Sequence, residues 1–207
     1  IFMITKSENS VNAAAIAEPS TNPLLAEWTG PYGGIPPFDK VKVSDFESAL
    51  EAAMAGKLAE IDAIANNAAA PTFENTIAKM EKTGHTLDRV ATIYGIWSGS
   101  MSTPEMNLIN TKMAPKLAAF GDKISQNEAL FKRIETIYNS PEKKKLTSEQ
   151  QRLVWLNHTN FVRSGAKLGA VEKKRLSEIN QSLAGHFTKF SQNLLADEGG
   201  PYVALET

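Results

Sequence analysis

Residues 170–195, AVEKKRLSEINQSLAGHFTKFSQNLL, decide the fold class. Within them Leu176, Ile179, Leu183, Phe187, Phe190 and Leu194 recur at intervals of 3, 4, 4, 3 and 4. Residues so spaced stand above one another on one face of an α-helix, whereas a strand would send alternate residues to opposite faces. Ala170 opens the stripe, and Gly199–Gly200–Pro201 ends it with residues that do not continue a helix.

The same period governs the chain back to residue 44. Ser44 and Glu47 have the spacing of a capping box. Phe46, Leu50, Ala53, Met54, Leu58, Ile61 and Ala65 follow on one face, and Asn66–Asn67 and Pro71 end that helix. Thr72 is placed to cap a second helix with the stripe Phe73, Ile77, Met80, Leu87, Val90, Tyr94 and Trp97, Gly84 being carried inside it. Thr103–Pro104–Glu105 reads as a cap, a proline at the first helical position and an acid in the first turn. Met106, Ile109, Met113, Leu117, Phe120 and Ile124 continue it, and Pro115 predicts a kink or a break near Ala114. Asn127 starts a shorter helix with Leu130, Phe131, Ile134 and Tyr138 inward, stopped by Ser140–Pro141. A charged link, Glu142 to Lys145, leads to Thr147 or Ser148 as the cap of a helix through about Arg163. That helix carries Leu153, Leu156 and Phe161 and ends at Gly165.

Nothing of useful length alternates with period 2; Tyr202–Val203–Ala204–Leu205 is at most a short strand. The expected class is all-α, with about six or seven long antiparallel helices. Ahead of them, residues 22–43 hold four prolines and three glycines among Trp28, Tyr32, Ile35 and Phe38, which predicts an extended loop laid across the helices with its large side chains buried. The expected organisation is a flexible tail (1–21), this loop (22–43), a helical domain (44–198) and a continuing segment (199–207). Ala15–Ile16–Ala17 has the pattern of a signal cleavage site. The polar run Lys6–Ser10 nevertheless stands where the apolar region should be, so residues 1–21 read as a tail.

Composition narrows the chemistry. With 22 Lys+Arg against 23 Asp+Glu the net charge is −1, which disfavours a general nucleic-acid binder. No apolar run is long enough to span a membrane. Without cysteine there is no disulfide, thiol nucleophile or thiolate metal site. His85, His158 and His186 lie far apart in sequence, and none pairs with another at one-turn spacing to hold zinc. They read as surface or structural histidines. Glu74, Glu81 and Asp88 fall near one-turn multiples and suggest a carboxylate metal site, but no Glu-x-x-His accompanies them. Lys143–Lys144–Lys145 and Lys173–Lys174–Arg175 read as exposed charge. Tyr94, Trp97 and Trp155 read as core. There is no phosphate loop, dinucleotide fingerprint or serine-hydrolase elbow.

Several strings carry more than their physics. Asn22–Pro23–Leu24–Leu25, Trp28, and Gly30–Pro31–Tyr32–Gly33–Gly34–Ile35–Pro36–Pro37–Phe38–Asp39 resemble the start of the peptidyl-dipeptidase (dipeptidyl carboxypeptidase) branch of the thimet oligopeptidase family of zinc metallopeptidases. Pro71–Thr72–Phe73–Glu74–Asn75–Thr76–Ile77, followed by Leu87–Asp88–Arg89–Val90, is similar to the family's most recognisable N-terminal string. Leu130–Phe131–Lys132–Arg133–Ile134, Phe161–Val162–Arg163–Ser164–Gly165–Ala166 and Phe190–Ser191–Gln192–Asn193–Leu194 resemble further segments, in the family's order.

The resemblance implies the N-terminal portion of a helical clamshell enzyme, bacterial, of periplasm or cytoplasm. Such an enzyme releases dipeptides from the free C-terminus of oligopeptides inside a deep channel. It also implies a zinc ion held by the two His of H-E-x-x-H and a further Glu, with the motif's Glu activating water. This sequence contains no H-E-x-x-H, so no catalytic, cofactor-binding or metal residue carries over. The expected partners are the C-terminal catalytic part of the same protein and, in the intact enzyme, an oligopeptide. No nucleic acid or membrane is expected, and self-association through an exposed lobe interface is. The segment alone is expected to be inactive and to bind no zinc. The alternative is a stand-alone helical binding or interaction module.

Overall fold

A computed structural model describes residues 22–199, and these fold as an all-α assembly without a named strand. Six long helices, α1 (Asp45–Ala65), α3 (His85–Ser100), α4 (Pro104–Ser125), α5 (Glu128–Asn139), α6 (Ser148–Arg163) and α7 (Ala170–Glu198), are joined by short connections. A one-turn helix, α2 (Ala78–Met80), follows a π-helical turn at Phe73–Ile77. The tail 1–21 with its Ala15–Ala17 pattern and the Tyr202–Leu205 segment lie outside the described residues.

α1 organises the interior, because its two halves belong to different cores. Phe46, Ala49, Leu50, Ala53 and Met54 pack with Leu24, Leu87, Val90, Ile93, Met106 and Met113. Ile61, Ile64 and Ala65 pack with Ile77, Leu130, Phe131, Ile134, Ile137, Val154 and Phe161. Burying a side chain of this size stabilises by about 1.5–3 kcal/mol, so each cluster outweighs the caps and ion pairs around it. Tyr94 and Trp97 stand edge-on to Phe46, with centroids 5.8 and 5.5 Å away. Charge joins α1 to α4 on the surface. Glu47 meets Lys112 and Lys116, Glu51 meets Lys116, and the two lysines hold Glu47 below the ordinary carboxylate range.

Several helix starts obey local chemistry. The Thr103 and Asn127 side chains accept from the N–H of Met106 and Leu130. Thr72 with Asn75 and Thr147 with Gln150 form reciprocal capping boxes. Ser44 departs from expectation. It is already in the right-handed helical region and its hydroxyl caps nothing. Asp45 instead reaches back to the Lys42 N–H at 2.8 Å, and Glu47 is drawn away by the α4 lysines.

The helix expected from residue 72 to 97 is interrupted. Gly84 adopts φ 85°, a left-handed conformation that breaks the hydrogen-bond ladder and turns the chain before α3. Its N–H donates to Glu60 on α1 at 2.7 Å, which fixes where α3 begins. α4, by contrast, runs unbroken from Pro104 to Ser125 through Pro115. Met106 and Met113 are fully buried along it, and that packing holds the helix together where proline removes one backbone bond. The Glu142–Lys145 link is a 3-10 turn, Pro141–Lys145, capped by Ser140.

Residues 22–43 are only partly buried. Leu24 and Val41 are in the core, and Leu25, Trp28 and Val43 lie against it. Tyr32, Ile35 and Phe38 are exposed, contrary to the sequence reading; Tyr32 stands inside the turn that the Thr29–Ile35 bridge closes, Ile35 at its end and Phe38 beyond it. Trp155 is also exposed and lies under Arg152, with the guanidinium 4.0 Å from the ring centroid.

α7 overturns the simplest expectation. None of its apolar stripe enters either core, and its one buried residue is Lys173. It packs antiparallel to α4 through polar contacts: Asn180 Nδ2 to Asp122 Oδ1 at 2.7 Å, and Gln192 Nε2 to Asn107 O at 3.0 Å and Thr111 Oγ1 at 3.2 Å. Ile179, Leu183, Phe187, Phe190 and Leu194 are left facing outward, with Phe187 and Phe190 each 66% exposed.

Candidate functional site

A groove of about 520 Å³ runs between α3, α4 and α7. Beside Tyr94, its α3 side carries the small residues Gly95, Ser98 and Gly99, followed by Ser102 just past the helix, whose size leaves the space open. Ser98 Oγ donates to Asn110 Oδ1 and Ser102 Oγ to Asn107 Oδ1, both at 2.9 Å. Gln192 crosses from α7, and Phe187 and Leu195 form the apolar rim that continues into the exposed α7 stripe. Burial pushes the Tyr94 phenol up, so it is a neutral hydroxyl at ordinary pH. The lining offers amides, hydroxyls and apolar surface but no carboxylate, imidazole or lysine. Such a surface can bind a polypeptide or another helix; it has no group to activate water or a nucleophile.

The sequence-derived metal candidates do not assemble. Among the described residues no group of three or more His, Asp or Glu side chains is close enough to share a metal ion. Glu81 and Asp88 line one shallow cavity, while Glu74 lines a different one beside Ile137 and Gln150. The left-handed turn at Gly84 breaks the helical register that would have aligned the three. His85 and His186 are exposed on α3 and α7. His158 is a packed ring, stacked 3.9 Å from Tyr138 and 5.7 Å from Phe131, with Nε2 4.0 Å from Glu135. Burial and the Lys167 charge hold it below the usual imidazole range, against the opposing pull of Glu135. These residues do not fit the ligand set of a catalytic zinc site.

Two charged residues take structural positions that the sequence reading missed. Arg133 is 6% exposed on α5. It donates to Asn67 O at 2.7 Å, Ala69 O at 3.0 Å, Asn75 Oδ1 at 2.9 Å and Thr76 Oγ1 at 3.2 Å. It therefore clamps the connection from α1 to the Phe73 turn, including the Pro71–Ile77 string. The signal was its register: Arg133 stands three residues from Leu130 and four from Ile137, inside the buried face. Lys173, read as part of an exposed basic run, is buried and donates to Glu128 Oε1 at 2.9 Å, tying the start of α7 to the start of α5. Its neighbours Lys174 and Arg175 are exposed.

Fold and groove together define an all-α unit with an open, uncharged groove and no catalytic constellation among the described residues. The chain belongs to the family described as Neurolysin/Thimet oligopeptidase, N-terminal domain, whose model matches residues 49–174. It is 34% identical to the dipeptidyl carboxypeptidase of Salmonella typhimurium over 177 residues, which are 86% of this chain and 26% of that protein. It is equally similar, 34% over 175 residues, to the dipeptidyl carboxypeptidase of Escherichia coli, covering 84% of this chain and 26% of the relative. A probable cytosolic oligopeptidase A of Arabidopsis thaliana is 26% identical over 179 residues, 85% of this chain and 24% of the relative. The chain thus spans about a quarter of the length of these relatives.

Proposed function

We propose that this chain is the N-terminal helical lobe of a zinc-dependent peptidyl-dipeptidase that removes dipeptides from the C-terminus of oligopeptides. In this reading the lobe forms one wall of the substrate channel, and the zinc is held by residues of the catalytic part. The observation that carries it is the α7 stripe. A helix of 29 residues, about 44 Å long, turns polar groups to its partner α4 and apolar groups to solvent. A contiguous apolar surface of that kind marks an interaction site, and the likeness to two dipeptidyl carboxypeptidases supports a catalytic part as its occupant. The neutral, amide-rich groove beside the stripe suits extended peptide backbone, whose N–H and C=O groups need partners of both kinds.

The test compares the 207-residue chain with the full-length product of its gene on an N-blocked oligopeptide. The full-length protein is expected to release C-terminal dipeptides and to lose activity to a zinc chelator. The isolated chain is expected to do neither, and to self-associate through α7. Stoichiometric zinc binding and dipeptide release by the isolated chain would overturn the proposal. A gene encoding no H-E-x-x-H after this segment would also overturn it, and would favour a stand-alone helical interaction module.

A further inference from the structure

A second cavity, also about 520 Å³, lies on the other half of the α4–α7 pair, where the last turns of α4 and α6 meet the first half of α7. Asp122 forms part of its wall and is 8% exposed. Asn180 satisfies Asp122 Oδ1, while Oδ2, like the Gln126 Nε2 donor one turn further on, is buried without a hydrogen-bond partner among the described residues. A carboxylate held inside protein with one oxygen unanswered is costly until a donor meets it. Arg163 at the end of α6 lines the same cavity, yet it is exposed and its side chain makes no ion pair or hydrogen bond among the described residues. It does not serve as that donor.

The rest of the lining is mixed in character. Ser125 and Arg163, the last residues of α4 and α6, border the cavity together with Ser164. Leu117 and Leu176 supply apolar walls. A Cβ built on Gly121, beside Asp122, would meet nothing within 4 Å, so there is open space next to Asp122.

We infer that this cavity is a receptor for a cation on an aliphatic stem, a guanidinium or ammonium whose head meets Asp122 and whose methylenes lie along Leu117 and Leu176. The same chemistry is offered by a free alkylguanidine or alkylamine and by an Arg or Lys side chain of another polypeptide segment. The site meets the α7 stripe only at its first residue, Leu176, and its test does not depend on dipeptidase activity.

The experiment titrates the ¹⁵N-labelled 207-residue chain with n-butylguanidinium, with its neutral analogue pentanamide, and with the blocked peptide Gly-Gly-Arg-Gly-Gly. The two cations are expected to shift the amides of Gly121, Asp122 and Asn180 saturably, and pentanamide is not. Asp122→Asn, which keeps shape and removes charge, is expected to weaken binding about tenfold or more. Gly121→Leu fills the open space, improves helix propensity, and is expected to abolish binding with the fold intact. Tighter binding of the peptide than of n-butylguanidinium identifies a polypeptide side chain as the source, and the reverse order a small molecule. No saturable shift with either cation, equal binding of pentanamide, or undiminished binding by Asp122→Asn and Gly121→Leu would overturn the inference.

Discussion

Removing the Arg133 guanidinium gives the sharpest test of how this fold is held. The side chain is 6% exposed and binds four neutral acceptors, with no carboxylate among them. In Arg133→Ala, Asn75 Oδ1 keeps the Thr72 N–H and the Thr76 hydroxyl, and the exposed Ala69 carbonyl finds water. The Asn67 carbonyl and the fully buried Thr76 hydroxyl lose a donor, at about 1 kcal/mol each. The space left by the buried methylene stem adds about 1 kcal/mol more. The sum is about 3 kcal/mol, and with a urea m-value of about 2 kcal/mol per molar it lowers the midpoint by about 1.5 M. Arg133→Lys is expected to lose about 2 kcal/mol, because a single ammonium cannot span the acceptors on both arms of the fork. Arg152→Ala is the control: its guanidinium lies on an exposed Trp155, and the expected loss is below about 1 kcal/mol. Equilibrium urea unfolding followed by far-UV circular dichroism reads all three. A midpoint shift for Arg133→Ala no larger than for Arg152→Ala, or a wild-type midpoint for Arg133→Lys, would refute the clamp.

The double substitution Phe187→Glu/Phe190→Glu alters two side chains that are each 66% exposed, so unfolding stability should change by less than about 0.5 kcal/mol while light scattering shows self-association reduced. A large loss of stability would mean that the stripe is internal. His158 is held below its unfolded value, chiefly by burial, so the unfolded chain binds more protons near and below pH 6.5. Its contribution is complete above that pH and is lost as pH falls through the lowered native value. Urea midpoints should therefore drop from pH 7.5 to pH 5, and His158→Asn should flatten that drop; a mutant with the wild-type slope would exclude His158 as the cause. Gly84→Ala forces a Cβ into a left-handed residue and to within 2.5 Å of Lys57 Cδ, so a loss of about 1 kcal/mol or more is expected. An unchanged or raised melting temperature would show that Gly84 is not left-handed.

The legible part of this molecule was local. Thr72, Thr103, Asn127 and Thr147 were identifiable as caps because a hydroxyl or amide three residues before an amide N–H meets it wherever the helix goes. Ser44 failed by the same logic, since the preceding turn had already drawn it into helical angles. Gly84 was ambiguous. A glycine inside a stripe is tolerated in a straight helix or chosen for a left-handed turn, and only Glu60 and Lys57 across the fold decide which. Glu74, Glu81 and Asp88 share a spacing that has meaning only if one continuous helix carries them.

By itself the sequence determined the helical class, most helix ends and a resemblance to thimet oligopeptidases, because periodicity, capping and string order are properties of neighbours in the chain. It did not determine which apolar faces are interior. The clearest stripe, Leu176 to Leu194, implied a core helix, yet α7 gives its polar side to α4 and turns most of that stripe outward. Periodicity reports that a face is apolar and needs a partner. Where the partner stands depends on which other surfaces lie within reach, and that is settled only when the two cores around α1 close without α7.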